Sequence, residues 1–165
     1  MKQHLLIIFL LSLVACTSSS TTETVADAEA TSIMEEIKLR DLDNHKIDLT
    51  DYKGKRVFIN FWATWCRPCI AEMPSIEKAQ TSLKEEPIAF LLVSNEPQAQ
   101  IKKFTSSRQF DFNYARLDMP LSQLNIKGLP TTMIIDEDGQ VVYNEMGARD
   151  WHDEESLKII RGELY

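Results

Sequence analysis

The chain has 165 residues, of which 44% are apolar and 26% are charged, and it carries three cysteines and a formal net charge of -7. This length and balance are typical of one globular domain with short extensions. The acidic charge and the lack of a basic stripe argue against nucleic-acid binding, which depends on clustered Lys and Arg, and three cysteines are too few for a disulfide-rich scaffold.

The first residues have the pattern of an export signal. Lys2 precedes an apolar run over residues 5–15, which is eleven residues long and too short for a membrane-spanning helix, since that needs about 20. The run predicts a secretory signal peptide over residues 1–15. It ends in LVAC, which resembles the lipobox of bacterial lipoproteins and implies cleavage before Cys16 and lipid attachment to that cysteine. An ordinary signal followed by an unrelated cysteine is the alternative.

The residues after Cys16 predict a spacer. Residues 17–32 contain nine Ser or Thr, three acidic residues and no Lys or Arg, a composition that cannot bury a core. We therefore expect a lipidated cysteine and flexible tether over residues 16–34 and a folded domain over residues 35–165. Leader and tether together predict a bacterial lipoprotein anchored to a membrane outside the cytoplasm, on the periplasmic side, where disulfides can form.

The folded part begins with an expected β-hairpin. Residues 37–39 and 46–49 alternate in hydropathy around a turn signal at Asp43 and Asn44, which favours two short antiparallel strands. Residues 56–62 form a β-branched and aromatic run that is typical of a buried central strand. An amphipathic helix follows, because apolar residues recur at intervals of three and four. These residues are Ile70, Met73, Ile76, Ala79 and Leu83.

The middle of the chain predicts a second strand and a second helix. Residues 87–94 are apolar enough for another buried strand, and residues 98–109 indicate a helix with Ile101 and Phe104 facing the core. Residues 117–130 predict an extended link with a short helical turn around residues 121–125.

The last part predicts a second hairpin and a final helix. Residues 131–146 consist of a strand, an Asp-Gly turn and another strand. Residues 153–164 predict a helix capped by Asp153, with Leu157, Ile160 and Leu164 on its apolar face. The order of elements predicts an α/β fold, a three-layer α/β/α sandwich with a central mixed sheet and an N-terminal β-hairpin extension.

Cys66 and Cys69 lie where the central strand passes into the first long helix. A helix N-terminus presents unpaired N–H groups and a partial positive charge, so the pKa of a cysteine there should fall below that of a free thiol. Pro68 suits the first turn because it has no N–H to lose there. The spacing predicts an exposed nucleophile at Cys66 and a buried partner at Cys69 that resolves a mixed disulfide.

Two other uses of the cysteine pair are open from the residues alone. A zinc site needs two more ligands, and beyond the leader the chain offers only His45 and His152 besides carboxylates. A static disulfide closing so short a loop would stabilise the fold little. Both uses are weaker predictions than electron transfer.

The segments FWATWCRPC and GLPTT resemble the motifs of thioredoxin-fold oxidoreductases, and most closely those of the membrane-anchored TlpA/ResA-type branch. The resemblance covers residue 37 to the C-terminus and implies a thioredoxin-like fold without metal or cofactor. It implies that Trp65 lies beside the nucleophile, that Pro74 kinks the helix and that Pro130 is a cis-proline facing the disulfide. It also implies that the backbone of Leu129 binds the substrate.

Asn60 and Glu72 occupy positions that favour the TlpA/ResA-type branch over cytosolic thioredoxin. By this resemblance Glu72 belongs to the catalytic group with Cys66, Cys69 and Pro130, where it could relay protons and raise the pKa of the cysteines. A surface carboxylate on the helix is the equal alternative.

The residues around the pair are the candidates for substrate binding. They are Trp65, Arg67, Pro68 and Leu129. The charge of Arg67 should favour the thiolate, unless its side chain is simply solvated, and Trp62 is expected to be a core aromatic.

The resemblance implies a thiol–disulfide oxidoreductase that reduces disulfides in exported proteins, such as apocytochrome c during cytochrome c maturation. A membrane thiol transporter would supply the electrons, and the protein would act as a monomer. The alternatives are a disulfide oxidant or isomerase, a peroxidase, or a redox-inert or metal-binding chaperone module on a lipid tether. No residue fixes the reduction potential, which ranges from about -270 to about -120 mV among proteins of this fold.

Overall fold

A computed structural model describes residues 32–164 of the chain. The predicted signal peptide, Cys16 and most of the predicted tether lie outside the described residues. The strands are β1 (Leu39–Arg40), β2 (Lys46–Ile47), β3 (Arg56–Phe61), β4 (Ile88–Ser94), β5 (Asn113–Leu117), β6 (Thr131–Ile135) and β7 (Val141–Met146). The α-helices are α1 (Ile33–Glu36), α2 (Arg67–Ser82), α3 (Gln98–Ser106) and α4 (Glu154–Arg161), and Leu49–Tyr52 and Leu121–Leu124 form 3-10 helices.

The strands form one mixed sheet in the order β2-β1-β5-β4-β3-β6-β7. β3 lies inside this sheet, parallel to β4 and antiparallel to β6. All of its residues after Arg56 are buried, as the run of β-branched and aromatic residues predicts. The predicted mixed sheet and both predicted hairpins are confirmed.

The two faces of the sheet are covered differently. The apolar residues of α2, α3 and α4 share one core cluster with Phe58 and Trp62. The connections β3–α2–β4 and β4–α3–β5 step across the sheet in the same direction, and right-handed crossovers then place both helices on one face. Met34 of α1 and residues of the short helical turns cover the other face. The outer layers of the predicted sandwich are therefore unequal in size.

One strand was not predicted. β5 pairs in parallel with β4 and, on its other side, antiparallel with β1 through Leu39 and Leu117. Its sequence NYARL places Asn113 and Arg116 among only a few apolar residues, so neither an apolar run nor strict alternation marks it. The strand forms because β4 and β1 offer it backbone partners from distant parts of the chain.

The final helix is shorter than predicted. Asp153 caps it as expected, since its Oδ1 accepts a 2.6 Å hydrogen bond from Ser156 N. The helix ends at Arg161, because Gly162 adopts a left-handed conformation with φ of 77°. Leu164, which was predicted to face the core from this helix, lies beyond it and is 51% exposed.

The N-terminal side of the described chain is packed against the domain. Met34, which the sequence prediction included in the tether, is 1% exposed and belongs to the second core cluster. Ser32 caps α1 by accepting a hydrogen bond from Met34 N. Within residues 32–164, no helix combines the length and apolar character needed to cross a bilayer.

Candidate active site

The cysteine pair lies at the start of α2, immediately after β3. Cys66 is the N-cap residue of this helix, Cys69 is in its first turn, and a disulfide joins the two. The backbone N–H of Cys69 points at Cys66 Sγ at 3.3 Å. The sulfur of Cys66 is therefore placed against the N–H groups of the helix start, as predicted, and these groups can stabilise a thiolate there.

The structure corrects the expected exposure of Cys66. Its side chain is 3% exposed and that of Cys69 is fully buried, and both belong to the core cluster that contains Trp62 and Met73. The physical reason is that Cys66 packs within this core cluster, with its sulfur bonded to that of Cys69 at the head of α2. The exposed groups around the pair are instead the side chain of Trp65, which is 71% exposed, with Arg67 and Pro68.

Trp62 behaves as the core aromatic that was predicted. It is 1% exposed and packs against Phe104 and Tyr114, with ring centroids 4.7 and 5.6 Å away. Arg67 lies on the exposed side of the first turn of α2. Its placement favours the solvated alternative over a fixed contact with the sulfurs.

The loop that carries Pro130 reaches the same end of the sheet as the cysteines. The peptide bond between Leu129 and Pro130 is cis, as the resemblance implied. Thr131 pairs with Phe61, the last residue of β3, so the residues just before Thr131 lie next to those just after Phe61. Gly147 N donates a 2.8 Å hydrogen bond to Pro130 O and fixes the loop. Leu129 is half-buried, as a residue that offers its backbone to a substrate can be.

Glu72 lies on α2, one turn after Cys69, and it is 4% exposed. Its Oε1 accepts a 2.9 Å hydrogen bond from Asn60 Nδ2. Its Oε2 accepts hydrogen bonds from Arg149 N at 3.2 Å and from Trp151 Nε1 at 3.0 Å. The alternative of a surface helix carboxylate is therefore wrong.

The surroundings of Glu72 change its acidity. Burial raises the pKa of Glu72, and the hydrogen bonds from Asn60, Arg149 and Trp151 oppose that rise. An open cleft of about 420 Å³ reaches Glu72 from the side of Ser75 and His152. The buried Glu72 therefore borders an open cleft and lies one turn from the cysteine pair.

Sequence reasoning did not find the partners of Glu72 outside β3. Trp151 and Arg149 lie in the segment between β7 and α4, 79 and 77 positions from Glu72. Thr132 completes the network from β6, because its Oγ1 accepts a 2.9 Å hydrogen bond from Asn60 Nδ2. No local pattern marks these residues, although a tryptophan shortly before a helix cap is a candidate for a buried anchor.

The described residues contain no group of three or more His, Cys, Asp or Glu side chains arranged to hold a metal ion. His45 contacts Asp41 in the β1–β2 turn, and His152 contacts Ser82 at the end of α2. His152 thus lies at the opposite end of α2 from the cysteine pair.

The sheet, its helices and the disulfide at the head of α2 define a thioredoxin-fold domain with a C-x-x-C pair. The family model described as Redoxin matches residues 25–159, so the chain belongs to the redoxin family. Within it, the resemblance to TlpA/ResA-type proteins drawn from the sequence is confirmed by the relatives that follow.

Two similar proteins carry the name thiol-disulfide oxidoreductase ResA. The one from Geobacillus kaustophilus is 40% identical over 106 residues, which cover 62% of this chain and 61% of that protein. The one from Halalkalibacterium halodurans is 35% identical over 130 residues, which cover 76% of this chain and 73% of that protein. The chain thus matches about three fifths of the length of the first relative.

Solved structures show the same fold. The exposed lipoprotein thioredoxin of Streptococcus pneumoniae is similar to this chain with a TM-score of 0.62 and 25% identity. The match covers 77% of this chain and 98% of that structure. The thioredoxin-like fold predicted from the sequence is confirmed by this similarity.

Proposed function

We propose that the protein is a thiol–disulfide oxidoreductase that uses Cys66 and Cys69 as its redox pair. The observation that carries the proposal is the disulfide at the N-terminus of α2, with the Cys69 N–H directed at Cys66 Sγ. A static brace is a poorer explanation, because a disulfide across three positions closes too short a loop to stabilise the fold much. The names of the similar ResA proteins support the same reaction.

The reaction runs through a mixed disulfide. In the reduced protein the Cys66 thiolate attacks one sulfur of the substrate disulfide, forms a bond to it and releases the other substrate sulfur as a thiolate. The Cys69 thiolate then attacks Cys66 Sγ, which breaks the bond to the substrate, releases the second substrate sulfur as a thiolate and forms the protein disulfide. Two electrons pass to the substrate, and two protons convert its sulfurs to thiols.

Glu72 is the proposed proton exchanger of this site. The second step needs Cys69 to lose its proton, and Glu72 lies one turn further along the same buried helix face. Since burial raises the pKa of Glu72, the group can take up and release a proton closer to neutral pH than an exposed carboxylate can. Its contact with the cleft beside Ser75 gives that proton a route to solvent.

The exposed surface around the pair is proposed to bind the substrate. Trp65 presents a large aromatic face to solvent beside Cys66, and the backbone of Leu129 is available in the loop before Pro130. Arg67 and Pro68 form the remaining exposed part of the first helical turn. These groups suit a polypeptide substrate with an accessible disulfide.

The proposed direction is reduction of disulfides in exported proteins, of which oxidised apocytochrome c is the leading candidate. Support comes from the TlpA/ResA-type sequence resemblance and from its branch-typical residues Asn60 and Glu72, which are joined in one buried network. A membrane thiol transporter would return the protein to its dithiol form. Oxidation or isomerisation of disulfides is the alternative direction.

The proposed location is the outer side of a membrane, with a lipid on Cys16 after removal of residues 1–15. Support comes from the leader and the LVAC motif, and the similar pneumococcal protein is itself named a lipoprotein. Residues 17–31 would give the domain reach from the membrane surface.

The test is a trapping experiment with the full chain in which Cys16→Ser removes the third thiol. Cys69→Ser leaves Cys66 able to attack but unable to be released, so mixed disulfides with substrates should accumulate and be visible on non-reducing gels. Cys66→Ser is the matched control and should trap nothing. If the reduced native chain does not speed insulin reduction by dithiothreitol, and Cys69→Ser traps no more than Cys66→Ser, the protein is a redox-inert module instead.

A further inference from the structure

A second buried carboxylate holds the turn that leads into the cysteine pair. Glu96 lies between β4 and α3, is 8% exposed and was not singled out by the sequence. Its Oε2 accepts hydrogen bonds from Thr64 N at 2.7 Å and Ser94 Oγ at 3.0 Å. Its Oε1 accepts hydrogen bonds from Thr64 Oγ1 at 2.8 Å and Gln100 Nε2 at 2.5 Å. A single carboxylate thus satisfies four donors, two of which belong to Thr64.

Thr64 lies two residues before Cys66, in the turn that connects β3 to α2. Ala63 O accepts a 3.0 Å hydrogen bond from Cys66 N, so residues 63–66 form a tight turn between β3 and α2. The residue just before this turn is hydrogen-bonded to β4, because Trp62 N donates a 2.9 Å hydrogen bond to Val93 O. Glu96 makes the second contact, because its carboxylate accepts hydrogen bonds from the backbone N–H and the hydroxyl group of Thr64.

Glu96 therefore links two neighbouring strand–helix connections. β3 and β4 run in parallel with Phe61 opposite Val93, so the turn before α2 and the turn before α3 lie side by side. The carboxyl ends of parallel strands are where open α/β sheets place their sites. Four donors converge on the one carboxyl group, which makes this link stiffer than a loop contact through a single hydrogen bond.

We propose that Glu96 is a positioning residue for the redox pair, which it serves by fixing Thr64 and hence the place of Cys66 at the head of α2. This proposal rests on the exchange reaction proposed above. A fixed Cys66 keeps its sulfur within reach of Cys69 in the reduced protein. It thereby raises the effective concentration of one thiol at the other and favours closure of the disulfide.

The experiment measures the equilibrium of the protein with glutathione. One protein dithiol and one glutathione disulfide give one protein disulfide and two glutathione thiols. The two electrons that the protein loses are taken up by the glutathione disulfide. Glu96→Ala, in the full chain with Cys16→Ser, should lower this equilibrium constant about tenfold, which is a reduction potential about 30 mV less negative. Glu96→Gln should lower it less, because its amide oxygen still accepts one hydrogen bond from Thr64.

Two further variants separate positioning from general stability. Thr64→Val removes the hydroxyl donor and keeps the backbone donor, so its effect should lie between those of the native chain and Glu96→Ala. Glu86→Gln is the matched control, because Glu86 accepts hydrogen bonds from Arg161 at 2.9 and 3.2 Å just before β4, at the other end of the sheet. It should lower the melting temperature while keeping the equilibrium constant within about twofold.

The outcomes distinguish the two proposals. If both Glu96 variants keep the native constant within twofold while their melting temperatures fall, Glu96 only braces the fold and this inference is wrong. If Glu96→Ala does not fold, the inference is tested with Glu96→Gln alone. It is wrong if the equilibrium constant of that variant stays within twofold of the native value. If the native chain itself does not exchange with glutathione, the proposed function fails and takes this inference with it.

Discussion

The indole Nε1–H of Trp151 donates a 3.0 Å hydrogen bond to Oε2 of Glu72, although 79 positions separate the two residues. This contact fastens the segment before α4 to the helix that carries both cysteines. Trp151 N donates in addition to Ser75 Oγ on the same helix, and the Trp151 ring meets Phe58 edge to face at 4.8 Å. Trp151 therefore holds the cysteine-bearing helix through its indole and backbone N–H groups, while its ring packs against Phe58 of β3.

Trp151→Phe is expected to lower the free energy of unfolding by about 2–4 kcal/mol. The smaller ring leaves a void beside Phe58, and Glu72 loses a buried hydrogen-bond donor. Urea unfolding of the oxidised protein measures the loss. Trp65→Phe is the matched control, because Trp65 is 71% exposed and its replacement should change stability by less than about 0.5 kcal/mol. Equal losses in the two variants would contradict this account of Trp151.

Glu72→Gln is expected to change how stability depends on pH. Because burial raises the pKa of Glu72, the folded protein binds this proton more tightly than the unfolded chain does. The stability from this group is complete below the unfolded pKa and is lost as the pH rises through the folded pKa. The unfolding free energy of Glu72→Gln should therefore fall less than that of the native protein from about pH 4.5 to about pH 7.5.

The control for this experiment is Glu72→Asp, which keeps an ionisable carboxyl group on the same helix position. It should retain a decline of stability with rising pH, although the shorter side chain reaches its partners less well. Native and Glu72→Gln curves that run parallel across this range would show that the folded-state pKa of Glu72 is not raised.

The sequence was most informative where the pattern is local. Cys66 and Cys69 could be placed at the start of a helix because the change from a strand pattern to a helix pattern lies within a few positions of them. The cis-proline Pro130 was implied by the resemblance of GLPTT to the family motif. The sequence left Glu72 open between a role beside the cysteines and a surface position, since its burial depends on Trp151 and a segment far along the chain. The same reason explains the missed contacts of Glu96.

Strand β5 and the exposure of Cys66 show the other limit of sequence reasoning. β5 depends on backbone pairing with β4 and β1, which flank it in the sheet and both precede it in the sequence, and its polar residues Asn113 and Arg116 obscure the apolar pattern of a strand. The burial of Cys66 depends on its packing in a core cluster that several distant elements build, and the residues next to it in the sequence do not show this.

Gly162→Ala is expected to destabilise the protein by about 1–3 kcal/mol, because its φ of 77° is unfavourable for any residue with a Cβ. The added methyl group would also clash with the guanidinium of Arg56, whose side chain is only 13% exposed and pairs with Glu137. Thermal unfolding measures the effect.

Gly128→Ala is the comparison for that variant. A methyl group at Gly128 would lie 2.6 Å from Met146 Sδ, but the Met146 side chain is 64% exposed and can move into solvent. We therefore expect a change in unfolding free energy of less than about 1 kcal/mol. A larger loss at Gly128 than at Gly162 would contradict the assignment of strain to Gly162.

Asp153→Ala is expected to cost about 1 kcal/mol, since the Asp153 carboxylate caps α4 through Ser156 N. Asp153→Asn should cost less, because an asparagine oxygen can also cap. The hydrogen bonds from Ser156 lower the pKa of Asp153, so the benefit of the charge is present above the unfolded pKa and is lost as the pH falls through the folded pKa. Urea unfolding should show the difference between native protein and Asp153→Asn shrinking in strong acid, and a difference that grows there would contradict this assignment.

Asn60 joins β3 to two other elements, because its Nδ2 donates to Glu72 Oε1 on α2 and to Thr132 Oγ1 on β6, each at 2.9 Å. Replacing one residue of this hydrogen-bonded network by an apolar residue leaves the others with buried, unpaired polar atoms. This lowers the free energy of unfolding more than replacing all of the network residues together. Related chains are therefore expected to keep these residues or to exchange them as a set. This can be tested with a library in which positions 60, 72, 132 and 151 are varied at the same time. Among the variants that fold, the residue found at one of these positions should depend strongly on the residues found at the others.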